Sequence, residues 1–215
     1  LTAGELAGLT ITPPEDFSGS FDLTVTATSS DGADTASIAD TLSVTVDPVA
    51  DAPTLSVDPA SGNEDSAITL DITAGLTDAD ETLSVTISDI PAGATLSAGT
   101  VNPDGTVTLT AAELAGLTIT PPEDFSGSFD LTVTATSSDG ADTASIADTL
   151  SVTVDPVADA PTLSVDPASG NEDSAIALDI TAGLTDADET LSVTISDIPA
   201  GATLSAGTVN PDGTV

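Results

Sequence analysis

The sequence predicts an all-β protein in which β-sandwich domains follow one another in tandem, and three observations predict this fold. The chain has 215 residues, and residues 1–107 match residues 109–215 at all but two positions, Gly4 against Ala112 and Thr69 against Ala177. A repeat of this length is long enough to form a domain of its own. Within each copy, apolar and polar residues alternate over short runs separated by turn-forming residues, which is typical of half-buried antiparallel strands.

The central copy contains eight runs with the strand pattern. In 83–87, Leu-Ser-Val-Thr-Ile, every second residue is apolar, and threonine on the outer face favours a strand. Asn102-Pro103-Asp104-Gly105 indicates a turn between two strands. Residues 111–116 have a helical composition over one or two turns at most. The predicted strands are 54–57, 67–73, 82–88, 94–98, 105–110, 117–120, 128–136 and 149–154.

Seven or eight short strands in about 107 residues indicate a Greek-key β-sandwich of immunoglobulin type. Antibody domains of this type fill the core with a tryptophan and a disulfide. This chain has no Trp and no Cys. We therefore expect Phe125 and Phe129 to take their place in the core.

The repeat boundaries fall at two copies of the segment Asp-Pro-Val-Ala-Asp-Ala-Pro, residues 47–53 and 155–161. Division at these joints leaves one complete repeat, 54–160, between the C-terminal part of one repeat, 1–48, and the N-terminal part of another, 162–215. We therefore expect a piece of a longer array in which neighbouring repeats contact one another.

The two partial repeats are complementary in sequence. Residues 162–215 joined to 1–48 would make a full sandwich that lacks only the counterpart of Thr108. Unpaired strand edges associate readily. We expect the two parts to pair, most simply head to tail between molecules, which is a heterologous contact that forms open chains. Folding back within one molecule is the alternative.

The composition excludes several classes of function. The chain has 36 acidic residues and no Lys, Arg or His, which gives a formal charge of −36. Binding of nucleic acid requires cationic contacts to phosphate, so it is excluded, and adsorption to anionic lipid is disfavoured. No apolar run is long enough to span a membrane as a helix. The carboxylates have no cationic side chain to pair with, so salt or bound metal ions must supply positive charge.

The acidic residues cluster in loops, and a sandwich gathers its loops at its two ends. Such clusters offer oxygen ligands without nitrogen or sulfur, which select hard cations. Ca²⁺ takes six to eight oxygens and tolerates irregular geometry, Mg²⁺ needs a stricter octahedron, and Zn²⁺ prefers the absent His and Cys. The sequence therefore predicts Ca²⁺. The candidate ligands are Glu15, Asp16, Asp31, Asp47, Asp51, Glu64, Asp78, Asp80, Glu123, Asp124, Asp139, Asp155, Asp159, Glu172, Asp186 and Asp188.

The joint Asp155-Pro-Val-Ala-Asp159-Ala-Pro161 resembles the cadherin linker, Asp-x-Asn-Asp-Asn-x-Pro, and Asp186-Ala-Asp188 resembles the cadherin Asp-x-Asp loop. The ordered set of motifs in near-identical acidic repeats is similar to the extender repeats of giant bacterial RTX adhesins secreted by type I systems. The resemblance implies Ig-like domains strung end to end, joints stiffened by calcium, and a place on the bacterial cell surface. Val157 and Ala158 replace two cadherin ligands, so we expect one to three ions per joint.

Three other interpretations remain at this stage. The acidic loops could be solvated surface, and Asp142, Asp197 and Asp212 are expected to be so. The repeats themselves could bind a carbohydrate, ice or a protein, although their outer faces carry Ser, Thr and Asp without an aromatic platform. A glycosidase with two carboxylates is disfavoured, because the copies do not vary and no aromatic residue is available to hold a sugar. We therefore do not expect an enzyme.

Overall fold

The computed structural model describes residues 1–210 and 214–215, and it divides into two units, Leu1–Asp155 and Pro156–Val215. The fold is all-β and immunoglobulin-like, with sheets arranged as a sandwich. Among the described residues, no helix has the length and apolar character needed to cross a membrane.

The first long element of the first unit is an antiparallel hairpin, which we call the N-terminal hairpin. Its strands are β1, Gly19–Asp31, and β2, Asp34–Val46, with Gly19 opposite Val46 and Asp31 opposite Asp34. The two strands pair only with each other in the described structure.

Residues 54–155 of the first unit form the complete repeat. Its strands are β3 Thr54–Asp58, β4 Ala60–Asn63, β5 Ile68–Thr69, β6 Asp71–Gly75, β7 Thr82–Ser88, β8 Thr95–Leu96, β9 Thr100–Val101, β10 Val107–Leu109, β11 Thr118–Thr120, β12 Gly127–Asp139 and β13 Asp142–Asp155. The main sheet has the strand order β4-β13-β12-β7-β10-β9, and smaller sheets have the orders β5-β11-β8 and β3-β6. Strand β4 runs parallel to β13, and the other ladders are antiparallel.

The core of the complete repeat follows from the alternation in its strands. On β12, Leu131, Val133 and Ala135 are fully buried, while the threonines between them face outward. They pack with buried residues of the opposite sheets and of the short 3₁₀ helix Ala111–Leu114. Full burial of one Val, Leu or Ile side chain contributes about 1.5–3 kcal/mol. The other buried apolar residues are Ala60, Ile68, Leu70, Ile72, Val85, Ile87, Val107, Leu109, Leu114, Leu117, Ile119, Leu150, Val152 and Val154.

The same sequence has a different environment in the N-terminal hairpin. Val25 and Leu42 are 52% and 54% exposed, whereas their counterparts Val133 and Leu150 are 0% exposed. The hairpin therefore forms its backbone ladder without the opposite layer that would cover its apolar face.

The second unit contains one short antiparallel pair, β14 Thr162–Asp166 and β15 Asp179–Gly183. This pair repeats the β3–β6 pair of the complete repeat. The predicted partial repeat 162–215 includes residues 211–213, which lie outside the described residues. Asp212, predicted to be a solvated surface residue, is one of them.

The strand predictions agree with the structure most closely where alternation is strongest. Strand β7 has the predicted bounds 82–88, and the helical stretch is a single 3₁₀ turn. The predicted strand 67–73 is wrong as one strand, because Leu70 separates β5 from β6. Strands β4 and β9 were not predicted, and β12 and β13 continue further toward their shared turn than expected.

The prediction that two phenylalanines fill the core is wrong. Phe125 and Phe129 are partly buried and pack against the core from its margin. Their ring centroids lie 5.9 Å apart with the planes at 58°. Aliphatic residues fill the centre, because the strands supply enough buried Leu, Ile and Val to close it.

Leu150→Ala would remove a fully buried side chain and leave a cavity. We expect the free energy of unfolding of the complete repeat to fall by about 2–5 kcal/mol, measured by urea denaturation with far-UV circular dichroism at high dilution. The matched control is Leu42→Ala, the same residue in the same local sequence but exposed, for which we expect a change below about 0.5 kcal/mol. Equal losses in both variants would contradict the difference in burial.

Candidate metal centre at the first joint

Residues 47–53 form the first joint, and side chains of the complete repeat hold its backbone. The Asp51 amide donates a hydrogen bond to Glu81 Oε1 at 2.6 Å, and the Asp51 carbonyl accepts one from the buried Ser137 hydroxyl. The Ala50 amide donates to Asp142 Oδ2 at 3.0 Å. Three side chains of the complete repeat, two of them bonded to Asp51 itself, thus fix the position of the joint.

Three carboxylates converge at this joint. One oxygen each from Asp16, Asp51 and Asp78 lies within 4.8 Å of the other two. Asp16 precedes β1 of the N-terminal hairpin, Asp51 belongs to the joint, and Asp78 precedes β7 of the complete repeat. The cluster therefore draws on both sides of the joint.

Local turns place two of these carboxylates. Asp16 has a left-handed backbone with φ of 57°, a conformation that aspartate tolerates better than most residues, in the turn after Pro13-Pro14. Asp78 Oδ1 accepts a hydrogen bond from the Asp80 amide at 2.9 Å, which closes a turn of the Asx type. Asp78 is 9% exposed, whereas Asp16 and Asp51 are exposed.

The cluster is electrostatically strained, since no cationic side chain exists in the chain to balance it. Desolvation and the negative charge of Asp78 raise the pKa of Asp16, with smaller effects from Glu15, Asp51 and Glu81. The direction of this shift means that the site favours a positive charge, either a proton or a metal cation, beside Asp16.

Glu81 adds a second observation that points to a cation. Its side chain is only 6% exposed, and Oε1 accepts the Asp51 amide. Oε2 is buried and has no hydrogen-bond partner among the residues that the structure describes. A buried carboxylate oxygen without a partner is costly unless it is paired with a charge or coordinates a metal.

A cleft of about 260 Å³ opens at the same place. It is lined from the N-terminal side by residues that include Asp16 and Phe17, and from the complete repeat by Asp78 and Asp139. Asp47 and Asp51 of the joint complete its acidic lining. The space has room for an ion and several waters, each of which takes about 30 Å³ in the liquid.

The backbone scaffold of the joint recurs within the second unit. The Asp159 amide donates to Glu189 Oε1 at 2.5 Å, as Asp51 does to Glu81. The Asp188 amide donates to Asp186 Oδ1 at 2.8 Å, as Asp80 does to Asp78. The recurrence shows that the segment from the joint to this acidic loop is a local structural element of the repeat.

Residues 50–154 match the family model of the bacterial Ig domain. This stretch runs from the first joint to the last residues of β13, so the Ig-like domain includes Asp51, Asp78 and Glu81 but not Asp16. Such domains are usually non-enzymatic and are typically surface-exposed. No curated protein matches the chain.

At the opposite end of the Ig-like domain, a second group of predicted ligands meets within the first unit. The Glu64 amide donates to the Asp155 carbonyl at 3.0 Å, and the Asp124 amide donates to Asp65 Oδ1 at 3.1 Å. Glu64 is 4% exposed. The expected gathering of the Glu64 loop, the Glu123–Asp124 loop and the start of the second joint at one pole is thus observed.

The remaining predicted ligands lie apart from the cluster at the first joint. Asp31 lies beside the turn of the N-terminal hairpin, at the end away from the joint. The Asp80 backbone amide donates to Asp78, but the Asp80 carboxylate is not part of the cluster at the first joint. In the second unit, Asp186 is 6% exposed. The exposed members of this remaining set are Glu15, Asp31, Asp80, Glu123, Glu172 and Asp188.

Sequence reasoning missed three residues that build the joint. Glu81 was not among the candidate ligands, although it directly follows Asp80 in the cluster Asp78-Ala79-Asp80-Glu81. Asp142, expected as a solvated turn residue, accepts the Ala50 amide. Ser137 lies in a run of small polar residues that carries no distinguishing pattern, so no signal in the sequence could have identified it.

Glu81→Gln would keep a side-chain oxygen for the Asp51 amide and remove the buried charge. With calcium chelated, we expect the free energy of unfolding of the Ig-like domain to rise by about 1–2 kcal/mol, because an unpaired buried charge is lost. The matched control is Glu189→Gln, the same change in the second unit. A loss of stability in Glu81→Gln under chelation would show that the carboxylate is already balanced without metal.

Proposed function

We propose that this chain is a stretch of calcium-rigidified extender from a large bacterial cell-surface adhesin. Its repeats hold a distal ligand-binding domain away from the cell and bind no ligand of their own apart from the ions. The observation that carries the proposal is the convergence of Asp16, Asp51 and Asp78 from both sides of one joint.

The donor set at the joint suits calcium. The ligands are carboxylate oxygens from separate segments, beside an open cleft with room for water. Ca²⁺ takes six to eight oxygens in flexible geometry, whereas Mg²⁺ demands a near-ideal octahedron. Asp16, Asp51 and Asp78 would hold the ion. Glu81 fits as a further ligand or as an outer-sphere partner, because its buried Oε2 has no other partner. When bound, the ion supplies the positive charge that the chain lacks.

The mechanical consequence follows from where the ligands originate. Without a cation, the carboxylates of Asp16 and Asp78 repel one another across the joint, and the joint opens by bending. With a cation, ligands from the hairpin side and from the Ig-like domain share one charge, and bending would break that coordination. A site that is filled at about 100 times its dissociation constant stabilises the bound arrangement by about 2.7 kcal/mol.

The usual surface exposure of bacterial Ig-like domains and the near identity of the repeats support a spacer. A spacer needs the same element many times without change, whereas a binding or catalytic array gains from variation among its copies. Extracellular modules bind calcium with dissociation constants of roughly 10⁻⁴–10⁻³ M. The array would therefore stiffen outside the cell and remain pliable at cytosolic calcium levels.

Small-angle X-ray scattering of the full chain tests the proposal, at concentrations where light scattering gives the mass of one chain. In about 10 mM calcium, well above the roughly 10⁻⁴–10⁻³ M constants of extracellular modules, we expect a narrow distribution of maximum dimension. In chelator the distribution should broaden or the dimension fall. Magnesium at equal ionic strength is the control for screening. Identical curves in calcium and chelator would refute the proposal.

Asp78→Asn would remove one ligand charge from the first joint. We expect calcium affinity at this joint to fall by about tenfold or more, since ligand charge count tunes affinity. Isothermal titration calorimetry measures the affinity. The matched control is Asp58→Asn, an exposed residue of β3 that removes the same charge. Equal weakening in both variants would mean that calcium responds only to net charge.

A further inference from the structure

The apolar face of the N-terminal hairpin is a second candidate surface, independent of the calcium site. Leu9 and Ile11, which precede the hairpin, are 60% and 50% exposed, and Val25 and Leu42 on its strands are 52% and 54% exposed. The corresponding residues of the complete repeat are at most 1% exposed: Leu117, Ile119, Val133 and Leu150. Exposed apolar residues whose counterparts form a core mark an interaction site.

The second unit exposes the other half of the same core. Ile176, Leu178, Ile180 and Val193 are 45%, 52%, 38% and 47% exposed. In the complete repeat, their counterparts are at most 6% exposed: Ile68, Leu70, Ile72 and Val85. In the complete repeat, Ile68 and Ile72 belong to the smaller sheets and Leu70 lies between them, whereas Val85 lies on β7 beside β12. Together with the equivalent of the hairpin face they form one core.

The backbone of the second unit also lacks a partner that the complete repeat has. Residues 82–88 form strand β7 by pairing with β12, with Thr132 opposite Ser88 and Ser138 opposite Thr82. Residues 190–196 have the identical sequence and are not a strand. The ladder partner that 190–196 lack has the sequence of β1, whose free edge is the equivalent of the β12 edge that pairs with β7.

We propose that residues 162–215 of one copy of this chain dock on the N-terminal hairpin of a second copy and complete an Ig-like sandwich. Residues 190–196 then form a strand beside β1 and place Val193 on the same face as Val25 and Leu42, while the side chains of Ile176 and Leu178 cover that face. The fit is specified by the complete repeat, in which the same residues make the same core within one chain.

While the hairpin keeps its place at the first joint, the connection to the second unit of the same chain is too short to supply this contact. The first joint adjoins Ser137 near the turn of the β12–β13 hairpin, and Asp155 ends that hairpin at its opposite end. Twelve or thirteen strand residues at about 3.3 Å each separate the two ends by about 40 Å. The connection from Asp155 to Thr162 contains six residues, 156–161, and spans at most about 25 Å. A second copy is therefore required.

The contact is heterologous, because the hairpin of one copy meets the second unit of another. Each copy then retains one free face of each kind, so association continues into open chains. Both partners are acidic, so screening by salt or calcium favours the contact.

Two variants, each with one face disabled, test the proposal by light scattering in high salt and calcium. Val25→Asp disables the hairpin, and Val193→Asp disables the second unit. We expect the wild-type mass to increase severalfold with concentration, and each variant alone to remain at the 20.9 kDa of one chain. An equimolar mixture of the two variants should give twice that mass, because each supplies the face that the other lacks. Hydrogen exchange of 190–196 should slow in that mixture and in the associated wild type, but in neither variant alone.

The control is Val101→Asp, which places the same charge at a position that is 73% exposed in the complete repeat. This variant should associate like the wild type. A wild-type chain that stays at single-chain mass at all concentrations would overturn the proposal. So would association of Val193→Asp alone, which would indicate contact between two hairpins, or a mixture that stays monomeric.

Discussion

The absence of any cationic side chain constrains every level of this structure, because none of the 36 carboxylates can be neutralised by another side chain. The strands accommodate this by separating apolar and acidic residues. Leu, Ile and Val fill the centre of the complete repeat, and the acidic loops lie at its two ends. Acidic loops thus gather at each end of the complete repeat, and one of these ends is the first joint. The joint is the place at which an external cation has most effect on the arrangement of the chain.

The fold could largely be predicted from the sequence because one signal dominates it. Alternation in 82–88 gave the bounds of β7, and the turn residues separated the strands. The far ends of β12 and β13 could not be predicted, since residues 137–145 are small or polar and their strand conformation comes from cross-strand pairing. Phe125 and Phe129 were misplaced because aliphatic residues alone fill the centre of the core.

The candidate site was predictable in its chemistry but not in its membership. Asp16, Asp51 and Asp78 were among the expected ligands, because acidic loops at the poles of a sandwich must approach one another at a joint. Glu81 depends on a different fact, the hydrogen bond from the Asp51 amide that draws its carboxylate inward. The backbone of residues 190–196 also depends on a partner. The identical sequence 82–88 forms strand β7 by pairing with β12, whereas 190–196 are not a strand.

The parallel ladder between β4 and β13 has a consequence for an array under tension. Strand β4 lies near the N-terminal end of the repeat's sequence and β13 at its C-terminal end, and Ala60–Asn63 lie alongside Val152–Asp155. Pulling on the two chain ends draws these neighbours in opposite directions along their own axes. Their hydrogen bonds are then loaded together in shear, so they resist as a group, whereas a hairpin pulled apart from its open end would lose its bonds one pair at a time.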